Sequence, residues 1–191
     1  MLTHASLRRL NLGCGGHGGN TGALLEYLTL PALQTLFIAD FDVRLFSDFI
    51  SRSAPPLEAL TMHSPYVGWP AEAMEADFRR LPDLTDFELY CKGHFEGDGL
   101  DFLDTLAASR DFLPNLRNIT MHRCSPDRAA YESIVTALTV WHKQMQLFNG
   151  HDRGPYGGDI PVDADIVAAL RPLAAADGMH IRIGTRDANV I

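Results

Sequence analysis

The sequence lacks long apolar runs, has few cysteines and carries fewer basic than acidic side chains. No stretch of about 18 consecutive apolar residues occurs, so no membrane span is expected. The opening segment, MLTHASLRRL, has no apolar signal-peptide core. Three cysteines in 191 residues are too few, and odd in number, which argues against a disulfide framework. A reducing, intracellular setting (cytoplasm or nucleus) is expected, not secretion. Sixteen basic residues face 24 acidic ones, for a formal net charge of −8. With no basic run, neither nucleic acid nor anionic membrane is an expected partner. Nucleophile elbow, Walker loop, H-E-x-x-H and EF-hand loop are all missing. No cofactor is expected.

What the chain does have is a repeat. SLRRLNL, PALQTLFI, PPLEALTM, PDLTDFEL and PNLRNITM fit one template, L-x-x-(apolar)-x-(apolar). The apolar triplets are Leu7/Leu10/Leu12, Leu33/Leu36/Ile38, Leu57/Leu60/Met62, Leu84/Phe87/Leu89 and Leu116/Ile119/Met121. Pro31, Pro56, Pro82 and Pro114 stand one or two residues before the first leucine of their units. The steps between units run from 24 to 32 residues, close to the period of leucine-rich repeats. The last two apolar positions are two apart, so they share one face of a strand. Helical spacing lies between strands, as in Leu45/Phe46/Phe49/Ile50, Met74/Phe78/Leu81 and Leu100/Leu103/Leu106. Each unit therefore reads strand, loop, helix and proline-marked return, because proline cannot continue a helix. One unit cannot bury its own apolar face, whereas stacked units can. The expected fold is α/β: a leucine-rich-repeat solenoid of five to seven units, with parallel strands on the concave face and helices on the convex face.

The last third is less regular. Residues 129–144 carry helical spacing through Tyr131, Ile134, Val135, Leu138 and Trp141. QMQLF (Gln144–Phe148) suits a sixth strand. A helix is expected over 163–176, capped by Asp163, stopped by Gly178 and kinked or shortened by Pro172. MHIRIG (Met179–Gly184) alternates like a last strand. The whole chain, 1–191, reads as a single leucine-rich-repeat domain, regular over about 7–125 and irregular over 126–191.

ALLEYLTLPALQTL, FISRSAPPLEALTM, RRLPDLTDFEL, FLPNLRNITM and DGMHIRIGTRDANVI together resemble the leucine-rich-repeat region of fungal F-box-type proteins. The resemblance covers nearly the whole chain. It implies a non-enzymatic module that binds a protein partner, similar to the substrate-recognition repeats of a ubiquitin ligase subunit. In that family an F-box precedes the repeats. Here Leu7 already belongs to a unit, so a Skp-type adaptor is implied only if an F-box exists upstream. An uncapped first repeat also leads us to expect a marginally stable or self-associating N-terminal end.

LNLGCGGHGGNTG (Leu10–Gly22) supplies the alternative. An apolar run enters a glycine-rich loop, as in the first motif of class I methyltransferases, which the stretch resembles. On that reading Gly13–Gly19 would cradle S-adenosylmethionine, and Asp40, at the end of LFIAD, or Asp42, two residues on, would bind the ribose. Gly13 and Asp40 are 27 residues apart, longer than the ~20 usual for such acids. The would-be second strand is also one copy of a repeated phrase. The glycines then serve as a strand-to-helix connection.

Thiol–imidazole pairs occur at Cys14/His17, Cys91/His94 and His122/Cys124. The last two lie on neighbouring repeats and could share a zinc. The simpler reading is that Cys124 fills the core and no metal is bound. Repeat register places three rows on the concave face. They are Arg9/Thr35/Ala59/Asp86/Asn118, Asn11/Phe37/Thr61/Glu88/Thr120 and Gly13/Ala39/His63/Tyr90/His122. Phe37, His63, Tyr90 and His122, with Tyr66 and Trp69 from the loop HSPYVGWP, are the expected partner-binding residues.

Overall fold

A computed structural model describes residues 1–13, 21–39, 41–63, 69–94, 98–109, 111–125, 128–141, 143–151, 163–176 and 179–184. Its strands are β1 (Leu2–Thr3), β2 (Arg9–Leu12), β3 (Leu28–Thr29), β4 (Thr35–Ile38), β5 (Ala59–His63), β6 (Asp86–His94), β7 (Asn118–Ser125), β8 (Leu147–His151) and β9 (His180–Gly184). Its α-helices are α1 (Val43–Ser53), α2 (Ala71–Phe78), α3 (Asp98–Ala108), α4 (Arg128–Trp141) and α5 (Ala164–Ala176). The fold is α/β.

Seven strands form one sheet in chain order, β2-β4-β5-β6-β7-β8-β9, and every neighbouring pair is parallel. The register turns the sequence template into columns. Leu10, Leu36, Leu60, Phe87, Ile119, Phe148 and Ile181 pair in one row across the sheet. Leu12, Ile38, Met62, Leu89, Met121, Gly150 and Ile183 form the next. These rows and the buried sides of all five helices share a single apolar cluster. The helices therefore cover one face of the sheet.

The returns between units repeat at the level of backbone hydrogen bonds. The carbonyl of Arg8 accepts from the amides of Gln34 and Thr35; that of Gln34 accepts from Glu58 and Ala59. Glu58, Thr85 and Arg117 then take 85/86, 117/118 and 146/147 in the same way, and Gln146 accepts from His180. Each strand is thus anchored at its start to the residue just before the preceding strand. Met145 stands where earlier units have leucine, which makes Met145–Phe148 a sixth unit and Ile181/Ile183 the apolar pair of a seventh.

Helix ends follow local chemistry. Asp42 caps α1 by accepting from the Arg44 amide at 2.8 Å. Ala54 closes α1 in the left-handed region, at φ 40°, and its amide bonds to the Ile50 carbonyl. Pro55 and Pro56 then prevent continuation. The segment that follows the glycine stretch is a 3-10 helix over Thr21–Tyr27. It leads into β3, which pairs in parallel with β1, a small ladder that the repeat pattern did not announce.

Three expectations are corrected. The sixth strand starts at Leu147, not Gln144, because Gln144 and Met145 still bond back to the Trp141 carbonyl. Helix α5 runs through Pro172 to Ala176, so of the kink or early end expected there the early end does not occur. Trp69 is 3% exposed, packed against Phe41, Phe46 and Phe78 at ring distances of 6.0, 5.4 and 5.7 Å. It enters α2 with its ring turned into the core and is not a surface anchor.

Candidate functional site

No described helix packs on the second face of the sheet, and the three rows read from the sequence line it. Arg9, Thr35, Ala59, Asp86 and Asn118 pair in succession, as do Asn11, Phe37, Thr61, Glu88 and Thr120. His63, Tyr90 and His122 continue the third row. Its β4 position differs from expectation: Ala39 lies just past the strand end and is fully buried. Tyr66 lies outside the described residues.

Four of the expected residues meet. Phe37 and His63 are edge to face, with ring centroids 5.6 Å apart. His63 and Tyr90 are 4.7 Å apart. Tyr90 and His122 stack at 4.2 Å with 15° between planes. The adjacent-strand spacing of a sheet, about 4.8 Å, is close to the spacing of stacked rings, so equivalent positions on neighbouring strands favour such a lane. The four side chains are half-buried.

Gly13 shapes the end of the lane. A Cβ there would lie 3.1 Å from Phe37 Cε1 and 3.0 Å from Asn11 Oδ1. The Asn11 side chain accepts from the Gly13 amide at 2.8 Å. The glycine thus gives room for the Phe37 ring against the backbone of β2. The rest of the glycine stretch, residues 14–20, lies outside the described residues.

The residue that sequence reasoning did not single out is Glu88. Its Oε1 accepts from the Tyr90 hydroxyl at 3.1 Å and contacts His122 Nε2 at 2.6 Å. Its Oε2 accepts from the Thr61 hydroxyl at 3.1 Å. Glu88 was visible in the second row, but nothing in a lone sequence marks which row member collects donors from two neighbouring strands. Two residues before it on the same face, Asp86 accepts from Asn118 Nδ2 and Thr85 Oγ1, both at 2.6 Å.

Cys91 and His94 fall on β6 and Cys124 on β7, with Gly93 paired to Cys124 after a register shift beyond Tyr90. The backbone therefore brings the two pairs to adjacent strands. The side chains of Cys91, His94 and Cys124, together with Cys14 and His17, lie outside the description. No group of three metal-ligating side chains occurs among the described residues.

A buried carboxyl lies on the helix side. Asp77 on α2 is 2% exposed, takes the Ser47 hydroxyl of α1 and has Arg80 at 3.6 Å. Burial raises its pKa above the ordinary value of 3.8, while Ser47, Arg80 and Trp69 pull it part of the way back. With no open face, Asp77 ties α1 to α2. Among the described residues, no helix is long and apolar enough to cross a membrane. The chain matches no protein-family model, no curated protein and no solved structure.

Proposed function

We propose that the chain is a leucine-rich-repeat-type solenoid and a non-enzymatic interaction module. A protein partner docks on the sheet face that the helices leave open. The observation that carries this reading is the lane Phe37–His63–Tyr90–His122, four aromatic side chains in contact across four adjacent strands. Half-buried aromatic groups on a rigid sheet are effective anchors, because little side-chain freedom is lost when they are covered. The chain-order sheet and the repeated returns support the solenoid. By the family resemblance, the partner is a protein recognised for ubiquitination inside the cell, and a Skp-type adaptor joins only through an upstream F-box.

The methyltransferase alternative draws less support. Doubly wound sheets bind nucleotides where the strand order reverses, and the described order runs in one direction from β2 to β9. Asp42, one of its two ribose candidates, is occupied as the α1 cap.

A photo-cross-linking amino acid placed at Thr120, on the open face, tests the reading against one placed at Ala169 on the exposed side of α5. In extract of the source organism, adducts are expected from position 120 alone, and Phe37→Ala with Tyr90→Ala removes them. Adducts from position 169 alone, or adducts indifferent to those substitutions, overturn it. S-adenosylmethionine is expected to leave the melting temperature unchanged; a saturable shift favours the enzyme instead.

A further inference from the structure

The open face has a charge pattern as well as an aromatic lane, and the geometry points to a specific partner group: an arginine side chain held at Glu88 against the Tyr90–His122 stack. This rests on the reading that a protein docks on that face, and it names the chemistry at the centre. Among the described side chains of the face, the permanent cations are Arg9 on β2 and Arg182 on β9, the two edge strands. The carboxylates Asp86 and Glu88 are on β6, in the middle. Among the described residues, the donors to Glu88 are two hydroxyls and an imidazole.

Hydrogen-bond accounting leaves room for a ligand. A carboxylate has about four lone-pair positions. Two partners use Oε1 and one uses Oε2, so one position on Oε2 remains, and the Glu88 side chain is 35% exposed. The three partners fix the carboxylate in place, which lowers the ordering cost when a cation arrives. Beside it lies the nearly parallel pair of rings of Tyr90 and His122. A guanidinium suits both features at once: it is weakly hydrated, so it can lie beside the rings, and its edge donates to a carboxylate. An ammonium is a compact, strongly hydrated charge and uses only the second feature well. The net charge of −8 favours approach of a basic segment from solution.

The test uses the full chain and three short peptides, acetyl-Gly-Gly-X-Gly-Gly-amide with X arginine, lysine or citrulline. Binding is followed by NMR of the Tyr90 and histidine ring signals. The arginine peptide is expected to shift Tyr90, His122 and Thr61 saturably. Citrulline, which keeps the shape and loses the charge, is expected to bind at least about fivefold more weakly, as for loss of a charge-assisted bond. Glu88→Gln in the protein is expected to produce a similar loss, with an unchanged circular dichroism spectrum. Equal affinity for arginine and citrulline, indifference to Glu88→Gln, or no saturable shift overturns the inference. If cross-linking from position 120 persists in the Glu88→Gln protein, the face binds a partner by other chemistry, and only this inference falls. If cross-linking at 120 is absent altogether, the docking reading itself falls.

Discussion

Phe87 is the place to test whether the seven-stranded sheet stands as a stack of units. It sits on β6, the fourth of seven strands, and is 3% exposed. Its ring lies 4.7 Å from Phe102 and 5.3 Å from Phe78, so it joins β6 to helices on both sides. Truncating a buried phenylalanine to alanine costs about 3–5 kcal/mol. Two ring pairs, each worth about 0.5–1.5 kcal/mol beyond area, place Phe87→Ala in the upper half of that range. A loss of about 4–5 kcal/mol lowers the melting temperature of a chain this size by about 8–20 °C. It also removes a large fraction of the ~5–15 kcal/mol that holds a typical domain.

The comparison is Ile181→Ala on the edge strand β9, where Ile181 is 5% exposed. Strands and helices here pack chiefly on those of adjacent units, and such stacks respond locally to damage. Hydrogen exchange should therefore accelerate in β8, α5 and β9 of the Ile181→Ala protein while β4 and β5 stay protected. Phe87→Ala, cutting the stack in the middle, should accelerate exchange on both sides. The reasoning is refuted if Phe87→Ala costs less than about 2 kcal/mol by denaturant titration. It is refuted equally if Ile181→Ala deprotects β4 and β5 as much as β8.

Burial has raised the pKa of Asp77, so the stability it contributes is fully present below its unfolded pKa, near 3.8, and is lost as pH rises through the folded value. Urea titrations between pH 3 and 7 should show Asp77→Asn gaining stability relative to wild type as pH rises above about 4; a pH-independent difference rules this out. Ala54 occupies the left-handed region, which costs a non-glycine residue about 1–2 kcal/mol, while glycine returns about 0.4–1 kcal/mol through the unfolded chain. Ala54→Gly should thus stabilise by about 0.5–1 kcal/mol, and a destabilised variant in thermal melts contradicts the cap geometry. Gly13→Ala should displace the Phe37 ring and weaken the Phe37–His63 contact seen in ring NMR, with a stability cost below about 1 kcal/mol; unchanged Phe37 signals would falsify that clearance role.

Much of the sheet was legible because its determinants are periodic. Leu33, Leu57, Leu84 and Leu116 mark the returns, and apolar residues three and five positions later mark the buried rows. That spacing alone gives the register across β2, β4, β5, β6 and β7, since a slip of one residue would turn the apolar rows outward. The sixth unit was blurred for an equally physical reason. Met145 replaces the leucine, Gly150 takes the register position of Met121 and Ile183 without a side chain, and Leu147 puts an apolar residue on the open face. The period-two contrast disappears there, although the backbone bonds from 146 and 147 to Arg117 preserve the junction. Trp69 and Glu88 were illegible for another reason. Exposure of a loop tryptophan depends on which helices meet beneath it, and the donors gathered by Glu88 come from β5 and β7 as well as β6. Both are properties of tertiary contact, which no local window contains.

The glycine at the head of LNLGCGG shows how one residue sustains two readings. In a cofactor loop, a glycine after a strand lets the backbone approach a phosphate or a nucleoside, and the signature is the absence of a Cβ. In this chain the same absence, at Gly13, admits a ring of the chain itself: Phe37, one strand over, lies where a Cβ would crowd it. Sequence spacing cannot tell these apart, because both demand glycine at the C-terminal end of β2. The distinction lies in what fills the space. Phe37 already occupies it and hands contact on to His63, Tyr90 and His122, so Gly13 belongs to the construction of the open face. A ligand seated over Gly13 would have to displace Phe37 and break the lane at its first member.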